Sequence, residues 1–156
     1  MDPSKKQARY QRIDSQIEAL MPGSPDPAAR MATIAAVLHH KIDYFFWTGF
    51  YLLRNGKLTV QVYQGPLACM VLREHTGVCW AGIDQGKSIV VPDVHLFPGH
   101  IACDARSRSE IVVPIRKPSG EITGVLDVDS RVSNTFDETD VFWLEKITSL
   151  IYSPLL

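Results

Sequence analysis

The sequence predicts one α+β domain, in which an antiparallel sheet of about five or six strands carries helices packed on one side. Three observations support this prediction. Amphipathic helical segments stand towards both ends of the chain, the segments between them are short and strand-like, and hairpin turns join several of these strands. The 156 residues match the length of one domain, and 46% hydrophobic with 21% charged residues is the composition of a folded protein. Residues 1–156 are therefore treated as a single domain.

Three helices are predicted from apolar spacing and from start signals. The first covers about residues 5–21, where apolar side chains recur at helical intervals. The second covers about 26–40, because Asp26 is a good N-cap and Pro27 suits the first helical position. The last covers about 137–152, where one face is apolar.

The predicted sheet covers about residues 44–130. It opens with an aromatic strand over 45–53, a hairpin turn at Arg54-Asn55-Gly56-Lys57 and an alternating partner strand over 58–64. The further strand-like segments are 67–72, 88–91, 109–115 and 124–129. A Gly-punctuated segment, 77–86, has room for one short helix.

Charge and hydropathy exclude several classes of protein. Sixteen Lys and Arg against 17 Asp and Glu leave a formal net charge of −1, which is too little positive charge for a nucleic-acid partner. No segment approaches the roughly 18 apolar residues of a membrane span, and no apolar run of the secretory type follows the first residues. We therefore expect no membrane partner and a cytoplasmic location.

Three cysteines lie in three different contexts. Cys69 is in a strand-like run, Cys79 is in the Gly-punctuated segment, and Cys103 is in the long irregular stretch 92–107. Their spacing fits no paired CxxC pattern, and a cytosolic protein rarely keeps a disulfide framework. A reactive thiol, a metal ligand and a plain buried thiol all remain open at this point.

The stretch 92–107 is too long to be an ordinary loop in a small domain, so it points to function. His100 and Arg106 lie close to Cys103 in sequence, and a neighbouring cation would favour the nucleophilic thiolate. Zinc bound by His95, His100 and Cys103 is an alternative, although this spacing matches no common zinc signature.

Acidic and aromatic side chains suggest a small-ligand pocket on the sheet. Asp127 and Asp129 alternate along one strand and project from the same face, and Glu110 begins the preceding strand. A cationic ligand such as an α-ammonium would supply the charge that these acids lack. Strand alternation also places Trp47 and Tyr51 on one face, where they would form an aromatic wall.

These motifs together resemble the free methionine-(R)-sulfoxide reductases, a family built on the GAF domain. The resemblance runs from about Tyr44 to Trp143, and all three family cysteines stand at the family spacing. At His75-Thr76-Gly77-Val78-Cys79-Trp80 the sequence departs from the family, because Trp80 replaces a small residue. The most specific segments are 47–51, 64–69, 77–79, 91–95, 97–104, 109–114 and 124–130.

The resemblance implies a role for each cysteine. Cys103 corresponds to the catalytic cysteine, Cys69 to the principal resolving cysteine that forms a disulfide with it, and Cys79 to a third, auxiliary cysteine. Substrate-binding positions correspond to Trp47, Tyr51, Glu110, Asp127 and Asp129.

The implied activity is reduction of free L-methionine-(R)-sulfoxide to L-methionine through a sulfenic acid and a disulfide, as a defence against oxidative stress. Thioredoxin would be the external reductant, with no bound cofactor and no metal, and the enzyme would be a homodimer. Two alternatives remain: a non-catalytic GAF sensor of small ligands, and a thiol redox switch that uses Cys69 and Cys103.

Overall fold

Four α-helices and five strands follow one another in the computed structural model, which describes residues 2–100 and 103–154. Ile101 and Ala102, which belong to the predicted catalytic segment, lie outside the described residues. The elements are α1 (Pro3–Leu20), α2 (Pro27–Lys41), β1 (Trp47–Arg54), β2 (Lys57–Gln64), α3 (Gly77–Gln85), β3 (Ile89–Val91), β4 (Ser109–Arg116), β5 (Ile122–Ser130) and α4 (Glu138–Thr148).

All five strands form one antiparallel sheet in the order β2-β1-β5-β4-β3. The predicted α+β architecture is therefore confirmed, and the sheet has the lower of the two predicted strand numbers. The central strand is β5, the last strand in sequence, which pairs with β4 on one side and, across a long separation along the chain, with β1 on the other. This pairing places the predicted aromatic residues of β1 beside the predicted acidic residues of β5.

The two faces of the sheet carry different layers. On one face, α2 and α4 pack against strands that contribute apolar side chains such as Phe50, Ile111 and Leu126, and α1 packs against these two helices. On the other face, α3 packs against Val112 and Val125. The prediction that helices pack on one side of the sheet is therefore correct for α1, α2 and α4. The remaining helix, α3, covers part of the opposite face.

Local signals set most helix boundaries. The Asp26 side chain accepts a hydrogen bond from the Ala28 amide at 3.0 Å and begins α2, as predicted. The last helix ends at Thr148 and not at 152. Beyond this point the carbonyls of Leu150 and Ser153 accept hydrogen bonds from the buried guanidinium of Arg30 instead of continuing the helix.

The predicted strand over 67–72 does not form. This segment meets β2 at one isolated bridge, between Thr59 and Val71. Pro66 at its start has no amide hydrogen to donate to a ladder, and two backbone hydrogen bonds hold the segment beside the edge strand. Cys69 therefore lies on an irregular segment next to the sheet. No helix within the described residues is both long enough and apolar enough to cross a membrane.

The buried Asp140 links several elements of the helical layer through hydrogen bonds. Asp140 on α4 accepts hydrogen bonds from the ammonium of Lys6, from Tyr10 Oη at 2.7 Å and from Tyr44 Oη at 2.8 Å. Its side chain also accepts the backbone amide of Asp137 at 2.9 Å and so closes the capping box of α4. This one carboxylate joins α1, the segment before β1 and the start of α4.

We expect Asp140→Asn to lower the free energy of unfolding by about 3–5 kcal/mol, because the buried Lys6 ammonium loses its anionic partner. Urea unfolding followed by circular dichroism measures the change. Asp43→Asn is the matched control, since Asp43 pairs with Arg9 while 79% exposed, and it should change stability by less than about 1 kcal/mol. Equal effects of the two substitutions would show that the buried network does not stabilise the fold.

Candidate active site

The register of three neighbouring strands assembles the predicted acidic cluster. Asp129 on β5 lies opposite Trp47 on β1 and opposite Glu110 on β4, so these three residues form a row across the sheet. Asp127 lies two residues earlier on β5, on the same face. The structure thus brings the three acids together on the face that α3 partly covers, with the predicted aromatic side chains beside them.

Trp47 and Tyr51 form a stacked aromatic wall, with ring centroids 5.8 Å apart. Tyr63 on β2 also stacks on the Trp47 ring, with centroids 5.3 Å apart, a contact that the sequence patterns did not predict. The indole nitrogen of Trp47 donates a hydrogen bond to the Pro66 carbonyl at 3.0 Å. Tyr51 Oη donates to the Cys69 carbonyl at 3.0 Å. The wall therefore also anchors the segment that carries Cys69.

Gly49 makes room for this wall. It lies between Trp47 and Tyr51 on the same face of β1, and a Cβ atom at this position would overlap the Trp47 ring and the Tyr63 side chain. A residue with a side chain would therefore displace the indole from its position beside the acids.

Burial disfavours ionisation of all three acids. Burial raises the pKa of Glu110 well above its ordinary value, and the nearby Asp127 and Asp129 carboxylates raise it further. Burial also raises the pKa of Asp127, although hydrogen bonding with Glu110 and Cys79 opposes this shift. The pKa of Asp129 is raised by burial and by Asp127, while Ser107 lowers it in part. The three acids therefore release their protons at higher pH than exposed carboxyl groups do.

Few positively charged side chains lie close enough to neutralise the three acids. Within the described residues, no Lys or Arg forms an ion pair with Glu110, Asp127 or Asp129. The nearest basic group is His100, whose Nδ1 lies 4.0 Å from Glu110 Oε2. Burial lowers the pKa of His100, and His95 lowers it further, so the imidazole is largely neutral at pH 7. A bound cation would therefore favour the ionised form of these acids, which have no Lys or Arg partner in the described part of the chain.

The cysteines divide into one pair and one isolated thiol. Cys69 and Cys103 form a disulfide with their Cα atoms 5.5 Å apart, the pairing that the family resemblance implies. Cys103 is exposed and Cys69 is half-buried. Cys79, in the first turn of α3, is a free and buried thiol whose pKa is raised by burial and by the nearby Asp127. The raised pKa keeps the Cys79 thiol protonated, and its burial keeps it from solvent. Cys103, by contrast, is accessible to solvent.

A cavity of about 50 Å³ joins these groups. Cys103, the three acids and the aromatic wall all line this cavity. Its lining comprises Trp47, Tyr51, Leu67, Ala68, Leu72, Thr76, Gly77, Val78, Cys79, His100, Cys103, Asp104, Ser107, Glu110, Asp127 and Asp129.

The cation that the sequence places near Cys103 is engaged elsewhere. Arg106 makes a two-pronged ion pair with Asp104, with the closer contact at 2.7 Å, and its guanidinium lies 4.9 Å from the centre of the Phe46 ring. These hydrogen bonds hold the pKa of Asp104 at about 2. Arg106 therefore orders the loop after Cys103 by neutralising Asp104.

In the disulfide form, the alternative zinc site at His95, His100 and Cys103 is incomplete. The sulfur of Cys103 is bonded to Cys69, which leaves it unable to join His95 and His100 as a metal ligand. Sequence reasoning also missed the buried Ser107, which interacts with Asp129. Nothing in the local pattern marks this serine, because its role depends on the pairing of distant strands.

Trp80, which replaces a small family residue, is buried in the layer between α3 and the sheet. Its ring packs against His75 with centroids 4.5 Å apart, and His75 Nδ1 pairs with Asp84 at 3.0 Å. The indole nitrogen has no hydrogen-bond partner in the described part of the chain. The large side chain is therefore accommodated by packing, and it fixes α3 against the sheet.

Comparison with known proteins gives consistent matches along the chain. The sequence profile of the GAF domain family matches residues 28–152. GAF domain-containing protein A of Dictyostelium discoideum is 44% identical over 147 residues, which cover 94% of this chain and 92% of that protein. Free methionine-R-sulfoxide reductase of Escherichia coli strain K12 is 36% identical over 146 residues, covering 94% and 88% of the two chains.

A solved structure shows the same similarity in three dimensions. The structure of free methionine-R-sulfoxide reductase from Neisseria meningitidis in complex with its substrate superimposes with a TM-score of 0.90 at 40% sequence identity. The superposition covers 97% of this chain and 89% of that chain. Both helical layers and the sheet therefore have counterparts in that protein.

Proposed function

Since this chain belongs to the GAF domain family and, within it, to the free methionine-R-sulfoxide reductases, we propose that it reduces free L-methionine-(R)-sulfoxide to L-methionine. One observation carries the proposal: an exposed cysteine, Cys103, borders a cavity lined by an aromatic wall and by three acids whose pKa values are raised by burial. A nucleophile, a proton donor, an ammonium site and an apolar surface are thus available to one small amino acid.

In the proposed first step, the Cys103 thiolate attacks the sulfoxide sulfur and takes over its oxygen. Glu110, which is protonated because burial and its acidic neighbours raise its pKa, donates the proton that this transfer needs. Methionine leaves, and Cys103 becomes a sulfenic acid. Cys103 is thereby oxidised by two electrons and the sulfoxide is reduced by two.

In the second step, the Cys69 thiol attacks the sulfenic sulfur of Cys103, which releases water and forms a disulfide between the two residues. The separation of the two Cα atoms, 5.5 Å, is within the ordinary range for such a bond. An external dithiol protein of the thioredoxin type then restores both thiols by exchange and becomes oxidised itself. The exposure of Cys103 supports direct attack by such a partner.

The expected homodimer and cytoplasmic location also belong to the proposal. A dimer is supported by apolar side chains that remain exposed on the helical layer, such as Leu20 and Phe142. No bound cofactor is needed, because each electron that reaches the substrate comes from cysteine sulfur.

The test is a coupled assay with each epimer of free methionine sulfoxide, thioredoxin and its reductase. We expect turnover of the R epimer and none of the S epimer. Thiol titration after adding the R epimer alone distinguishes the alternatives. Loss of two thiols with release of one methionine supports the reductase. Binding without thiol loss supports a sensor, and thiol loss only with peroxide supports a redox switch.

The acidic cluster predicts selectivity for the free amino acid. N-acetylation removes the ammonium and leaves the ionised acids of the cluster without their counter-charge, so kcat/KM for N-acetylmethionine-(R)-sulfoxide should fall at least about 10³-fold. The same coupled assay measures kcat/KM for the free and the acetylated substrate, and thus the ratio of the two values. In Asp129→Asn the ratio should shrink, because part of the charge that demands an ammonium is gone. Equal turnover of both substrates by the native protein would contradict ammonium binding by these acids.

A further inference from the structure

A second kind of ligand fits three buried side chains at the inner end of the cavity. Cys79 on α3, Glu110 on β4 and Asp127 on β5 each offer one donor atom, and these atoms lie within 4.8 Å of one another. The three residues are only 4%, 5% and 6% exposed. Because they come from three separate elements, their grouping is fixed by the fold and does not depend on one flexible loop.

An independent observation shows that one oxygen atom of this group lacks a partner. Asp127 Oδ1 is buried and has no hydrogen-bond partner within residues 2–100 and 103–154. A buried carboxylate oxygen without a partner is unfavourable, and such an atom usually marks an unfilled interaction. Asp127 also lines the cavity, so a ligand that enters it can reach this oxygen.

The donor set selects the class of ligand. Thiolate sulfur with carboxylate oxygen is a combination that zinc binds, whereas magnesium and calcium require oxygen donors. Ligand atoms around tetrahedral zinc are about 3.5 Å apart. The three donor atoms, which lie within 4.8 Å of one another, therefore need to approach by at most about 1 Å to reach this geometry.

We propose that Cys79, Glu110 and Asp127 bind one zinc ion, with cavity water in the fourth position, and that bound zinc excludes methionine sulfoxide. Binding releases the protons of the thiol and of the carboxyl groups to solvent. The positive ion then occupies the ammonium site, and Glu110 can no longer act as an acid. Zinc binding itself is independent of the proposed reductase activity, while the exclusion of substrate rests on it.

Cobalt chloride added to the oxidised protein tests the site directly. The Cys69–Cys103 disulfide leaves Cys79 as the one free thiol, so any thiolate-to-cobalt charge-transfer band must come from Cys79. We expect this band and the visible bands of tetrahedral cobalt to saturate at one equivalent, and zinc chloride to abolish both. Proton release on zinc addition, measured in weak buffer, provides a second readout.

Variants decide whether the bands report the proposed ligands. Cys79→Ser should remove the charge-transfer band, and Asp127→Asn should weaken cobalt binding more than about tenfold, since losing even an outer partner of a metal ligand costs 10–100-fold. Glu121→Gln, an exposed carboxylate, is the matched control and should leave the titration unchanged. The absence of the band in the native protein, or its persistence in Cys79→Ser, would overturn the site.

Exclusion of substrate is tested in a form that cannot turn the substrate over. In the double variant Cys69→Ser, Cys103→Ser, Cys79 is the single thiol, and free methionine-(R)-sulfoxide should displace bound cobalt. Failure of displacement would overturn the exclusion. A native protein that turns over the sulfoxide but binds no zinc contradicts the metal site alone. A protein that binds zinc but reduces no sulfoxide contradicts the proposed function alone.

Discussion

Cys103→Ser should lower kcat/KM for free methionine-(R)-sulfoxide by at least about 10³-fold, because serine oxygen is a poor nucleophile towards the sulfoxide sulfur and cannot accept its oxygen. The Cys79 thiol, which also lines the cavity, is a poor replacement. Cys79 is buried, and burial together with Asp127 raises its pKa and keeps it protonated. The coupled assay with thioredoxin measures the change.

Cys69→Ser separates the chemical step from recycling. This variant retains Cys103, so it should release about one equivalent of methionine in a single turnover and accumulate a sulfenic acid that dimedone traps. Its steady-state turnover with thioredoxin should fall, because the disulfide between positions 69 and 103 no longer forms. A Cys103→Ser protein that still yields methionine, or a Cys69→Ser protein that yields none, would remove Cys103 from the reaction.

Glu110→Gln should lower kcat/KM by about 10² to 10⁴-fold, the usual contribution of a positioned acid. Glutamine keeps the size of the side chain but has no proton to transfer. The pKa of Glu110 is raised by burial and by Asp127 and Asp129. The acid is therefore present below this raised pKa and is lost as pH rises through it.

The pH profile of kcat/KM provides the discriminating readout. The native protein should lose activity on the alkaline side, where Glu110 ionises, and Glu110→Gln should show no such decline. Glu74→Gln, an exposed carboxylate, should reproduce the native profile. An unchanged alkaline decline in Glu110→Gln would assign the proton donor to another group, of which Asp129 is the next candidate because burial and Asp127 also raise its pKa.

Local patterns were sufficient to predict much of the molecule. The alternation along β5 predicted that Asp127 and Asp129 share a face, and in the structure both side chains line the cavity on one face of the sheet. The capping signal at Asp26 predicted the start of α2. Each of these features depends on neighbours within a few residues, and the polypeptide geometry fixes such relations directly.

Features that depend on distant pairing were not accessible in this way. The row formed by Trp47, Asp129 and Glu110 requires the register of β1 against β5 and of β5 against β4. The approach of Cys79 to Asp127 requires α3 to pack on the face opposite the other helices. The segment 67–72 has the composition of a strand, yet it meets the sheet at a single bridge.

One face of β5 contributes to the hydrophobic core, and the other face contributes to the cavity. Leu126 and Val128 contribute to the main core, while Asp127 and Asp129, interleaved with them, reach the cavity. Substitutions at the cavity positions can therefore alter the ligand while the interior that holds the helices stays intact. A strand built in this way lets a lineage change its chemistry one side chain at a time, which offers a physical reason why one scaffold serves both enzymes and sensors.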